Sequence, residues 1–484
     1  MFGNPFGCHQ RRDGNRQHVD GVRKLLVRFG TRGNLREDLS QSGFSQPAGD
    51  KVDFFSCHNI VRATCAKLLR CPLERLALLH DSPNRVNLAG TLPVLAGARI
   101  KAQDDKGATM KALRYAKRLI EFDSTSHRSN RNIAKYLEMK LTKHGFVVEK
   151  TGYLDPKGVR KVNIVAKKGG GTGGLAYFCH NDVVPAKRWF TKKFGPFEPR
   201  IARERLYGRG SCDMKGSIAC MLEASQEIAW DDLKSPFYFV CTADEEVGFE
   251  GAKTVVSDSK YYREMVQQQP KVIIGEPTML EILHAHKGCY EFTATAAGKA
   301  AHSSSRDGVN ANLKLIPFLT AMKEIYEETE ADPKFHNDAF EPPTLSLNIS
   351  LKGDRSAHNV TASRAMCSVN FRPMPDVDHQ PIVLRVREMA EKFGLELELN
   401  DYGGPLWTDP ESEFVKDALK LVHRKEAKTA AFGTDGGVLT ELNDKIVCGP
   451  GNIQQAHTKN EWIGLEQLHR GAEVYAKMIA HWCC

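Results

Sequence analysis

Four short apolar runs, Leu175–Cys179, Phe237–Cys241, Val272–Ile274 and Ile446–Cys448, constrain the fold of this chain more than any other feature. Each is too short for a buried helix and carries no polar alternation, so each reads as a strand covered on both faces. Helical stretches such as Met214–Trp230 lie between or beside them. The alternation predicts an α/β fold with a mostly parallel sheet flanked by helices. Upstream, Met110–Phe122 and Asn130–His144 have helical periodicity, the second with Ile133, Tyr136, Leu137 and Leu141 on one face. Val147–Glu149 and Val162–Ala166 read as strands, and Leu465–Trp482 as a closing helix.

Residues 290–401 follow another pattern. A strand at Glu291–Ala296 precedes a helix at Val309–Glu328. Thr344–Leu351 alternates, which predicts Leu345, Leu347, Ile349 and Leu351 on one face. Met366–Phe371 is a strand, Ile382–Phe393 a helix, and Leu395–Leu399 alternates again. The order βαββαβ is ferredoxin-like. A second domain, 290–402, is therefore expected inside a first one formed by 106–289 and 403–484.

Residues 1–105 match neither pattern and are expected to be a basic, poorly ordered extension, with Met110 an alternative start. Of the formal charge of +9, a net of +7 falls in residues 1–109, which hold 17 Lys/Arg and 10 Asp/Glu. The basic balance therefore argues little for nucleic-acid binding by the main body. A basic segment that binds nucleic acid or another partner is the reading from a different class, and the lack of interleaved aromatics counts against it. No apolar run approaches the roughly 20 residues that span a bilayer, and no secretory signal is evident. Thirteen scattered cysteines without a CxxC pair point to reduced thiols in a cytoplasm.

Three of the apolar runs are followed at once by acidic or imidazole groups, and the fourth at a distance. His180 and Asp182 lie in HNDVVPA, Asp244, Glu245 and Glu246 in ADEEVG, Glu276 in GEPT, and His457 nine residues past Cys448. Ligands of open α/β sheets bind outside the carboxyl ends of the strands, so these groups can converge. Asp213, in LYGRGSCDMKGS before a helical run, completes the set. Taken singly each has a plain reading: Asp213 a helix N-cap, His180 a core histidine, Glu245–Glu246 a solvated loop, Glu276 a strand end. Together, two imidazoles and several carboxylates suit zinc or another first-row divalent ion. The surplus of carboxylates suits two ions, with one acid shared and another free to act as base.

The motifs HNDVVP, LYGRGSCDMKG, TADEEVG and GEPT, with Trp189 and Pro196–Phe197 between the first two, resemble the dinuclear zinc amidohydrolase and metallopeptidase family of acetylornithine deacetylase, succinyl-diaminopimelate desuccinylase and aminoacylase. The resemblance covers roughly residues 106–484. IIGEPTMLEILHAHKG, NDAFEPPTLSLNI, NFRPMP and GPGNIQQAH are most similar to the acetylornithine deacetylase branch. It implies that 106–289 and 403–484 form the catalytic domain and 290–402 a lid and dimerisation domain. It implies that His180, Asp213 and Glu276 hold one metal ion and Asp213, Glu246 and His457 the other, zinc first and cobalt second. Asp182 would orient His180, and Glu245 would be the general base. His302, in GKAAHSSS, would reach the oxyanion from the partner in a homodimer. Arg372, Asn359 and Lys287 would contact the substrate. The implied reaction is hydrolysis of N2-acetylornithine to ornithine and acetate, a step of arginine biosynthesis. Desuccinylation or hydrolysis of another N-acyl amino acid or dipeptide is the rival.

Overall fold

The computed structural model describes residues 109–354 and 357–484; the expected extension at 1–105 lies outside the described residues. The chain opens with helices α1 (Thr109–Ile120) and α2 (Arg131–Lys143), then strands β1 (Val147–Leu154), β2 (Arg160–Lys168), β3 (Leu175–His180), β4 (Arg200–Ala202) and β5 (Arg205–Tyr207). Helix α3 (Lys215–Gln226), β6 (Phe237–Thr242), α4 (Glu250–Asp258), α5 (Lys260–Gln268), β7 (Lys271–Ile274) and β8 (Leu283–His286) follow. Next come β9 (Cys289–Ala297), α6 (Ala311–Ala331), β10 (Asn348–Gly353), β11 (Arg364–Phe371), α7 (Gln380–Lys392) and β12 (Glu396–Gly403). The chain ends with β13 (Leu406–Trp407), α8 (Glu413–Val422), β14 (Lys428–Ala430), β15 (Lys445–Val447), β16 (Trp462–Gly464) and α9 (Leu465–Cys483).

The four apolar runs are β3, β6, β7 and β15. They lie side by side at the centre of one sheet, in the order β6-β3-β7-β15, and all run parallel. Antiparallel strands β1, β2, β8 and β13 extend the margins. Every residue of β3 and β6 is buried, with the two faces serving different cores. Leu175, Tyr177, Cys179, Phe237, Phe239 and Cys241 pack with α3 and α9, whereas Ala176, Phe178, Tyr238 and Val240 pack with Val255, Tyr262 and Met265 of α4 and α5. A one-residue slip would exchange the two sets, so burial on both sides fixes the register.

The second sheet has the order β10-β11-β9-β12, antiparallel throughout, with β9-α6-β10-β11-α7-β12 as the chain order. This is the ferredoxin-like arrangement read from the periodicity. Phe292, Val369 and Phe371 pack under α6 and α7 through Phe318, Val386 and Ala390. The other face of this sheet is left for the site.

The alternation of Thr344–Leu351 fails in burial and not in direction: Ile349 and Leu351 pair with the buried Val369 and Cys367 of β11 and so lie on the core-facing side of the sheet. Leu345 and Leu347 are buried, but Ile349 and Leu351 are exposed on β10, which begins only at Asn348. β10 is the edge strand of this sheet, which leaves Ile349 and Leu351 uncovered, and the left-handed Ser346, φ 53°, lies before the strand begins.

Candidate metal centre

The parallel strands end together. His180 and Thr242, the last residues of β3 and β6, are register partners, and Glu276 lies two residues past β7. Glu245 and Glu246 form the turn after β6, entered at Asp244 with φ 56°, and His457 sits in the loop after β15 with φ 61°. Left-handed backbone at non-glycine residues is costly and gathers where side chains must be aimed.

Asp213 precedes the N-cap position of α3, which is Met214, so its side chain does not cap the helix. It is held from behind. Glu461 accepts the main-chain N–H groups of Cys212 and Asp213 at one oxygen, 2.9 and 3.0 Å. The other takes the N–H of Gly210 at 3.0 Å and Nη1 of Arg209 at 2.7 Å. Gly210 has φ +81°, and a Cβ there would lie 2.8 Å from Cγ1 of Val183, so only glycine lets the loop close this tightly.

The result is that Asp213 turns one oxygen to each histidine. Oδ1 is 3.1 Å from Nε2 of His180, and Oδ2 is 3.3 Å from Nε2 of His457. His180 Nε2 also lies 3.5 Å from Glu276 and 3.9 Å from Glu245, whereas His457 Nε2 lies 2.8 Å from Glu246. His180 and Glu276 thus lie to one side of Asp213 and Glu246 and His457 to the other, while ligand atoms of His180, Asp213 and Glu246 also lie within 4.8 Å of one another. Nδ1 of His180 points at the main-chain carbonyl of Asp182, 3.1 Å away, with the Asp182 carboxylate at 3.5 Å. A carbonyl needs a donor, so Nδ1 carries a proton and Nε2 is the ring nitrogen that faces the cluster. Asp182 therefore orients His180 mainly through its carbonyl. Its carboxylate accepts the N–H groups of Glu245 and Glu246 at 3.1 and 3.3 Å and the hydroxyl of Ser126 at 2.8 Å.

The site is overloaded with acid. Burial pushes Glu245, Glu246 and Glu276 upward, and the neighbouring carboxylates push them further. His457 is raised to about 10 by its bonds to Asp213 and Glu246. Burial lowers the pKa of His180, but Glu245 and Glu276 outweigh it and push it up. Two imidazoles cannot neutralise these carboxylates, and Oε1 of Glu246 is buried with no hydrogen-bond partner. Nitrogen and oxygen donors around excess negative charge fit divalent cations.

A cavity of about 400 Å³ opens from this cluster toward the second sheet, lined by Glu245, Glu246, His457, Arg372, Glu291 and Tyr402, among others. Arg372 is thus brought to the site. Lys287 is not among the lining residues: it is fully buried, and its ammonium donates to the carbonyls of Pro342 and Thr344 and the hydroxyl of Ser346. His302 and Asn359 are exposed on adjacent loops joined by the His302–Val360 bridge, and neither lines the cavity.

Three contributors were not singled out from the sequence. Glu461 sits in the HTKNEW run beside a named histidine, but its partners are backbone groups that no side-chain motif reveals. Asp435, in the turn-like GTDGG, is buried, accepts from the Thr242 hydroxyl at 2.6 Å, and is pushed up to about 7 by burial. Glu291 looked like an ordinary strand residue.

Residues 176–481 match the sequence profile described as peptidase family M20/M25/M40. An acetylornithine deacetylase from Myxococcus xanthus is 33% identical over 393 residues, covering 78% of this chain and 98% of that protein. An M20 family metallo-carboxypeptidase from Sulfolobus solfataricus has a similar fold, with a TM-score of 0.61 at 19% identity over 77% of this chain and 99% of its own. A dinuclear metal binding peptidase of the M20 family from Bacillus subtilis superposes with a TM-score of 0.53 at 14% identity, over 78% and 98% of the two chains.

Proposed function

The chain belongs to peptidase family M20/M25/M40, and from that premise we propose that it hydrolyses the amide bond of an N-acyl amino acid, N2-acetylornithine before others, giving ornithine and acetate. The observation that carries the reading is Asp213 facing His180 with one oxygen and His457 with the other. The acetylornithine deacetylase from Myxococcus xanthus supports the substrate, and the dinuclear peptidase from Bacillus subtilis supports two ions.

His180, Asp213 and Glu276 would hold one divalent ion, and Asp213, Glu246 and His457 the second, with zinc ahead of cobalt. When bound, the pair supplies Lewis acidity and lowers the pKa of water. Glu245, on the cavity wall, takes the proton of the attacking water and returns it to the leaving nitrogen. Asp182 fixes both His180 and the main chain of Glu245 and Glu246, so acid, base and ligand keep one geometry. The guanidinium of Arg372 is a planar fork suited to the α-carboxylate.

The exposed His302 acts, in this reading, across a homodimer as a donor to the oxyanion, with Asn359 beside it. Two features support the dimer. β10 is an edge strand exposed along its length, with Ile349 and Leu351 uncovered, and α6 leaves Leu313 and Ile316 exposed. Unpaired edges with apolar side chains invite pairing. Nine described cysteines are all free, which supports a cytoplasmic protein. Among the described residues no helix is long and apolar enough to cross a membrane.

The test is a panel of N2-acetylornithine, N-succinyl-diaminopimelate, other N-acyl amino acids and dipeptides, assayed with added zinc or cobalt. N2-acetylornithine should give the highest kcat/KM; if it ranks among the poorest, the assignment is wrong.

A further inference from the structure

The cavity wall opposite the metal centre carries a charge that the mechanism does not use. Glu291 lies on β9, whose residues alternate between two environments. Tyr290, Phe292 and Ala294 pack into the core under α6 and α7, so Cys289 and Glu291 turn to the open face of the sheet. There Glu291 has Asn370 of β11 and Asn400 of β12 as its register partners. Glu291 and Asn370 both line the cavity, as do Arg372, Tyr402 and Phe432.

Neither charged group of this wall is neutralised by the protein. Among the described residues, the Glu291 carboxylate and the Arg372 guanidinium form no ion pair, with each other or elsewhere, and Glu291 is only partly exposed. Arg372 follows Asn370 by two residues, one past the end of β11, so its backbone stands diagonal to Glu291, at the Cα spacing of about 7–8 Å usual in an antiparallel sheet. A half-buried carboxylate costs desolvation until a cation meets it. The wall therefore offers one cationic and one anionic contact a short aliphatic chain apart, with the rings of Tyr402 and Phe432 beside them. An amino acid held at Arg372 by its α-carboxylate would turn the end of its side chain toward Glu291.

We propose that Glu291 is a specificity-determining residue that receives a side-chain ammonium, so that this site selects α-N-acyl amino acids whose side chain ends in a primary amine. The inference rests on the N-acyl amino acid hydrolase reading above. It assigns to Glu291 a preference that the metal ligands and Glu245 cannot express, because these act on the amide bond common to all such substrates.

The experiment compares the metal-loaded wild type with Glu291→Gln and Glu291→Asp on N2-acetylornithine and on N-acetylnorvaline, which has the same carbon chain without the amine. The wild type should prefer N2-acetylornithine. Glu291→Gln should reduce that preference, the ratio of the two kcat/KM values, by about ten- to hundredfold and mainly through KM, as loss of one partner of a desolvated charge pair does. Glu291→Asp, which keeps the charge, should retain most of the preference and controls for folding. Equal losses on both substrates, or a wild type that treats the two alike, overturn the role of Glu291 while leaving the hydrolase reading intact. A wild type inactive on both and on every other N-acyl amino acid overturns the hydrolase reading and this inference together.

Discussion

Glu461 accepts the main-chain N–H of Asp213 at 3.0 Å and so anchors, through the backbone, the one carboxylate that faces both histidines. The same side chain neutralises the buried Arg209 and holds the N–H groups of Gly210 and Cys212. Glu461→Ala leaves Arg209 buried without its counter-charge, a change that costs about 3–5 kcal/mol in comparable sites. The loop would also lose the fixed aim of Asp213, and metal affinity should fall with stability. Urea unfolding together with atomic spectroscopy of the purified variant checks both. Unchanged unfolding would mean that the loop is held by other contacts.

The shared position of Asp213 predicts unequal effects among the proposed ligands. His180→Ala and His457→Ala should each lower bound metal from about two equivalents toward one, since in the proposed ligand sets each histidine serves one ion only. Asp213→Ala should deplete both. Chelation should abolish turnover and lower the unfolding temperature, because ions that bind only the folded form add about 2.7 kcal/mol at a hundredfold excess over Kd. Metal content after dialysis decides the matter; an Asp213 variant with full stoichiometry would exclude a shared ligand.

Glu245 lies on the cavity wall, 3.9 Å from His180 Nε2, farther than Asp213 or Glu276. Burial raises its pKa, which suits a group that must hold a proton between two steps. Glu245→Gln keeps the size and removes the basicity. It should retain metal, leave KM within a small factor, and cut kcat by about 10²–10⁴. Steady-state kinetics on metal-saturated protein measure this, and a variant with near-normal kcat would place the base elsewhere.

The strands and the acids gathered at their ends were legible in the sequence for one physical reason. Strands buried on both faces must be apolar throughout, so β3, β6, β7 and β15 stand out, and the polar groups at their ends are conspicuous. His180, Glu245, Glu246, Glu276 and His457 could be gathered this way, although choosing between Glu245 and Glu246 needed the family resemblance. Glu461 was not legible, because it acts on N–H groups of the GRGSCD loop that every residue possesses. The exposure of Ile349 and Leu351 was not legible, because it follows from β10 lying at the edge of its sheet, which the alternation of Thr344–Leu351 does not reveal. Lys287 lies in a run read as part of the substrate site, but the carbonyls that hold it belong to residues more than fifty positions away.

Lys287 makes the last prediction, one of stability against pH. Burial, helped by Arg372 and opposed by Glu330 and Glu341, lowers its pKa from 10.5 to about 8. Below about pH 8 the amine is charged in both the folded and unfolded chain, and the folded state carries the full cost of burying the charge. Between about 8 and 10.5 the folded protein has lost this proton while the unfolded chain still binds it. The unfolded state then holds more protons, so this group's contribution to stability rises with pH across that window. The rise is at most about 3 kcal/mol, at 1.36 kcal/mol per pKa unit. Lys287→Met should remove that rise, whatever its overall effect on stability, because methionine has no proton to release. Urea unfolding of both proteins from about pH 8 to about pH 10 gives the comparison: the wild type should gain on the variant as pH rises. A constant difference would show that Lys287 titrates in the folded protein much as it does in the unfolded chain.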